Sequence, residues 1–144
     1  MTSYEAIFTD EQEVSAIMGS SDERVRYIIH DAALRRQISG ALRDKRRRHL
    51  APVGLPRRWQ PQLVRNVAGF YLDTPGAFCR IADWIDAGCE VWCGPLHALP
   101  EQTMYELVGH AEVDNPVYAK VMYQLANGHV IGLSFHYAIF DKII

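Results

Sequence analysis

The chain has 144 residues, 49% hydrophobic and 22% charged, with a formal net charge of −2. That is enough apolar side chain to bury a core without disulfide staples and fits a single domain over 1–144. No run reaches eighteen apolar residues, and Glu5, Asp10, Glu11 and Glu13 stand where a secretory signal would be basic and then apolar, so the expectation is a cytoplasmic protein with no membrane partner.

In chain order, Tyr4 to Phe8 fits either a short strand or a helix lead-in, and Asp10 to Met18 a short helix stopped by Gly19. Ser20 or Ser21 offers an N-cap for a second helix, with Asp22 and Glu23 in its first turn where the helix dipole favours acids. Val25, Ile28, Ile29 and Ala32 share one face of that helix, whereas Leu34, Ile38 and Leu42 lie roughly opposite at 100° per residue. Either the helix is buried on two sides or it breaks near Ser39-Gly40. If it continues, Arg36, Arg43 and Arg47, with Arg35 and Arg46 beside them, form a basic face. Pro52, Gly54 and Pro56 end regular structure, and Arg57-Arg58-Trp59 falls in a loop before Pro61.

Leu63 to Leu72 leans to strand on its valines and aromatics. Thr74-Pro75 predicts an N-cap followed by proline at the first helical position, with Phe78, Ile81, Ala82 and Ile85 as the apolar face and Gly88 at the C-terminus. Cys89 to Cys93 alternates as a strand does. Leu99-Pro100-Glu101 predicts a further short helix through Val108. A β-hairpin spans about 117–139 around Asn127-Gly128. A left-handed Gly128 would pair Tyr123 with Ile131, Val121 with Leu133, Ala119 with Phe135 and Val117 with Tyr137, giving one continuous apolar face. The resulting class is α+β: a helical, basic N-terminal half and an antiparallel sheet centred on that hairpin, covered by helices at Pro75 to Ala87 and Pro100 to Val108.

The charge is segregated. From Leu34 to Arg65 ten Lys or Arg face Asp44 alone, a local +9 that leaves −11 for the rest. Arginine forks bind phosphate, and an aromatic beside them can stack on a base, so Arg43, Lys45, Arg46, Arg47, Arg48, Arg57 and Arg58, with Trp59, form the candidate binding set for nucleic acid or an acidic protein surface. The alternative is a solvated basic face paired with acids elsewhere.

Glu13 to Ile28, with Ser15, the turn glycine Gly19 and apolar Val14, Met18, Val25 and Ile28, resembles the helix-turn-helix of sigma-factor and response-regulator DNA-binding domains. The resemblance covers sixteen residues and implies a DNA-binding regulator; Ser20 departs from it, because an apolar residue usually follows the glycine.

Three cysteines in such a chain point to reduced thiols. Cys89 and Cys93, with His97, do not form a zinc site on a strand, because four residues separate the thiols by roughly 13 Å while a zinc–sulfur bond is about 2.3 Å. His110-Ala111-Glu112 has the spacing of a zinc-deaminase motif but no cysteine follows it. No hydrolase, metalloprotease, phosphate-loop or dinucleotide fingerprint occurs. No metal or cofactor is therefore expected, and a non-enzymatic binding protein is favoured over a stoichiometric inhibitor of the immunity or anti-defence type. A hydrolase or nuclease using His136, His110 or a cysteine is the third class.

Overall fold

A computed structural model describes residues 26–52, 58–96 and 101–138, and Arg26–Ala138 forms a compact unit. The architecture is α+β. Among the described residues seven strands make one sheet: β1 (Tyr27–Ile28), β2 (Arg48–Leu50), β3 (Arg58–Trp59), β4 (Trp92–Pro95), β5 (Thr103–Gly109), β6 (Val117–Gln124) and β7 (His129–Tyr137). Their order is β1-β4-β5-β6-β7-β2, with β3 also on β7. The path from β1 to β7 is antiparallel, as expected, but β2 and β3 run parallel to β7, so the sheet is mixed. β2 pairs with Val130 to Gly132 and β3 with Ser134 and Phe135, two pieces along the same edge of β7.

Two helices, α1 (Ala32–Arg43) and α2 (Thr74–Asp86), share one buried cluster with one face of the sheet. Ile38, Ala41 and Leu42 of α1 and Phe78, Ile81, Trp84 and Ile85 of α2 join Tyr105, Leu107, Val117, Ala119, Val121, Val130 and Phe135 in this core.

Of the two opposed apolar stripes read between Val25 and Leu42, Ile28 and Ile29 precede the helix that carries Leu34, Ile38 and Leu42, and Val25 lies outside the described residues. Tyr27 and Ile28 are β-prone and form β1, whereas the helix begins only at Ala32. Asp31 is the cap that starts it, its carboxylate accepting the N–H groups of Ala33 and Leu34 at 2.9 and 3.2 Å. The helix then runs through Ser39-Gly40 without breaking. The segment resembling a helix-turn-helix lies outside the described residues except for its last three, of which Tyr27 and Ile28 are strand.

The helix around Pro75 occurs where expected, with a different cap. Asp73 accepts the Gly76 N–H at 2.8 Å, and the Thr74 hydroxyl instead accepts the indole N–H of Trp59 at 3.1 Å. Of the helix expected from Pro100 to Val108, Pro100 lies outside the described residues and Thr103 to Val108 belongs to β5. Six residues of it pair with β6 and four with β4, and this pairing outweighs the local helix-start signal. Leu63 to Leu72 is not a strand. A 3-10 turn at Pro61–Leu63 leads into a tight loop in which Asn66 Oδ1 accepts the N–H groups of Ala68 and Phe70 and Gly69 takes a φ of 92°.

The hairpin forms as predicted at its base, with Val117 opposite Tyr137 and Ala119 opposite Phe135. Beyond Lys120 the register shifts, so Val121 faces Gly132 and Tyr123 faces Val130. Leu133 is the extra residue of this β-bulge. Leu133 and Ile131 therefore lie in the cluster on the opposite face with Met104 and Met122, not in the helix-side core. Gly132 replaces Leu133 on that side because Trp59 lies over it: a Cβ there would sit 2.7 Å from the indole. A loop of four residues, Leu125 to Gly128, closes the hairpin, with Gly128 at φ 73° and its N–H on the Gln124 carbonyl at 2.8 Å.

Candidate anion-binding sites

The arginine run is sequential in the chain but divided in space. Arg35 donates to the carbonyls of Ile85 and Cys89 at 2.7 and 2.6 Å, satisfying groups at the C-terminal end of α2. Arg43 bridges α1 to α2 through Asp83 and Asp86, both at 2.8 Å, which push its guanidinium pKa up, Asp86 most. Arg48 turns inward: it donates to the Leu42 carbonyl at 3.0 Å at the end of α1 and lies 5.5 Å from the centre of the Phe78 ring. Trp59 is a core residue, with Phe78 and Phe135 at centroid distances of 4.9 and 5.6 Å. Its indole faces protein on the side where a base would have to stack. Arg57 lies outside the described residues.

Lys45, Arg46 and Arg47 remain together. Asp44, just beyond α1, accepts the Arg46 N–H at 2.9 Å and the Arg47 Nε at 3.1 Å, making the short turn that presents them. The Arg46 N–H holds the Asp44 carboxyl below its ordinary value, burial opposes it, and the Arg47 guanidinium adds to the lowering. Lys45 and Arg46 are exposed, the Arg46 side chain at 89%. The Arg47 carbonyl accepts from Val130, and its guanidinium lies beside Gly128, where a Cβ would be 3.3 Å away.

Two histidines complete this surface. His49 on β2 and His129 at the start of β7 meet across the sheet edge, Nε2 to Nδ1 at 2.9 Å. Their rings are 17° apart in plane with centroids 4.9 Å apart, so they lie edge to edge in a shared hydrogen bond. At eighty residues' separation no local sequence pattern links them to each other. From this cluster to Arg58 is about 16 Å along β7 at the strand rise, five residues from His129 to Ser134, which pairs with Arg58.

Arg58 instead joins a polar group on the face opposite the helices. Trp92, Glu106, Lys120, Ser134 and Arg58 stand in one cross-strand row, and Tyr118 opposite His136 forms the next. Buried Glu106 binds Arg26 and accepts the Tyr118 hydroxyl at 2.6 Å. Burial, and secondarily the nearby Arg58 and Lys120, push His136 down to about 4 despite its hydrogen bond to the Tyr137 carbonyl.

Cys79, Cys89 and Cys93 are free thiols, and burial raises Cys89. Among the described residues no three His, Cys, Asp or Glu side chains are grouped to hold a metal, and no helix is long and apolar enough to cross a membrane. His97 lies outside the described residues, and His110 is exposed just beyond β5. No protein-family model, curated protein or solved structure matches the chain.

Proposed function

We propose that this is a non-enzymatic binding protein that engages the phosphate backbone of a nucleic acid through Lys45, Arg46 and Arg47, with His49 and His129 alongside. The observation that carries this is the turn surface itself: three consecutive cations, one carboxylate, and two imidazoles that can donate to phosphate oxygen when protonated. Arg43, Arg48 and Trp59 support the fold in this reading, which narrows the seven cations of the candidate set to three. Such contacts release counterions, so affinity for labelled duplex or single strand should fall steeply as salt rises. Absence of binding at low salt by the folded protein would refute the proposal.

A second reading, a stoichiometric protein inhibitor, is favoured by the loop after the 3-10 turn. Leu63, Val67, Phe70 and Tyr71 are 55–70% exposed on a framework fixed by Asn66, and clustered apolar exposure is a mark of protein interfaces. It predicts a one-to-one protein complex that survives high salt and is lost in Phe70→Ser.

A further inference from the structure

On the sheet face opposite the helices, two cations, a hydroxyl and a neutral imidazole converge, and among the described residues no acid is committed to them. Lys120 and Ser134 are cross-strand neighbours, and Ser134 pairs in turn with Arg58. His136 is two residues along β7 on the same face, its ring 5.3 Å from that of Tyr118. The Tyr137 carbonyl can only accept, so the 2.8 Å contact fixes the His136 proton on Nδ1 and leaves Nε2 open.

Among the described residues neither Lys120 nor Arg58 has a carboxylate within 4.0 Å. Glu106 stands opposite Lys120 in the register but is held by Arg26 and Tyr118. Ser134 is only 7% exposed as a residue, which sets a hydroxyl-bearing side chain in the row beside Lys120. Lys120 and His136 are half-buried, so a bound charge is less screened there than on the open surface.

We propose that Arg58, Lys120, Ser134 and His136 form a binding site for a small oxyanion of the phosphate type, separate from the turn surface of Lys45 to Arg47. The guanidinium fork, the ammonium and the hydroxyl supply donors to a tetrahedral group, and His136 adds a fourth when the anion brings it a proton. The assignment to an anion follows from the charge: the patch holds two cations, and its one neighbouring acid is already neutralised.

The histidines report on the two surfaces separately. Inorganic phosphate is titrated into the isotopically labelled protein at neutral pH while the imidazole signals are followed by NMR. The expected result is a saturable movement of His136 and a rise of its titration midpoint, since a bound anion favours the imidazolium. Lys120→Met and Arg58→Gln should each weaken this binding by about tenfold or more, while Lys45→Ala/Arg46→Ala leaves it unchanged. Arg58 is exposed, so its variant keeps the test open even if Lys120→Met disturbs the sheet. A His136 signal that phosphate does not move overturns the proposal, as does binding in both variants as tight as in the wild type. Movement of His49 and His129 alone would place phosphate at the turn, leaving the proposed function intact and this site refuted.

Discussion

Changing Lys45 and Arg46 together to Ala should separate the binding arginines from the structural ones. Both side chains are exposed, and Arg46 makes only a 3.8 Å contact with Asp44, so folding stability should change by no more than about 0.5 kcal/mol. If Lys45, Arg46 and Arg47 each neutralise one duplex phosphate, the logarithm of the binding constant falls with that of salt at a slope of about −2.7, and the double variant should retain about −0.9. Arg47 shares its charge with Asp44, which makes the first figure an upper bound. The control is Arg48→Ala. It removes a hydrogen bond to Leu42 and the contact over Phe78, costing about 1–3 kcal/mol of stability, yet it should leave the slope alone. Fluorescence anisotropy over a salt series, with urea unfolding of each variant, reads both quantities. A slope flattened by Arg48→Ala at unchanged stability, or unaltered in the double variant, would refute this division of the run.

Three further outcomes follow from the packing. Gly109→Ala puts a Cβ 2.0 Å from the Trp84 ring, which is pinned by its own hydrogen bond to Ala111, so urea unfolding should show a loss of about 1–3 kcal/mol or more; wild-type stability would contradict this. Arg35→Met removes the guanidinium nitrogen that donates to both carbonyls, and should cost about 1–3 kcal/mol in the same assay. His136 lies near 4 when folded against 6.5 unfolded, so the unfolded chain binds more protons between these values and stability should fall as pH drops through that window. His136→Gln removes this dependence, and an unchanged pH profile in the variant would rule it out.

Local signals in the sequence carried as far as local forces decide the structure. Pro75, the apolar spacing of Phe78, Ile81 and Ile85, and Gly88 at φ 95° marked α2 because caps and periodicity act within a few residues. Asn127-Gly128 marked the hairpin for the same reason. β5 was lost because Met104, Leu107 and Val108 fit a helical face as well as a strand, and only the partners on both sides decide between them. The basic run showed that charge was concentrated, but not where each guanidinium points. Arg43 is directed by acids forty residues away, Arg48 by the end of α1 and by Phe78, and Trp59 by a gap at Gly132.

The bulge at Leu133 links the core to the polar face. Without it, the register at the base of the hairpin would continue to the turn, and Leu133 and Ile131 would point at the helices. Leu133 would then fill the space that Trp59 occupies over Gly132, and Trp59 is the residue that joins β3 to α2 through Thr74. One extra residue lets Gly132 lie beneath the indole while Leu133 enters the opposite cluster. Ser134 stands beside Lys120 in the base register, which the bulge leaves unchanged, and β3, held against β7 by Trp59, carries Arg58 to the same place. The packing of one tryptophan on the helix side thus positions Arg58 in the proposed oxyanion site on the other, so the core and that site share the strand β3.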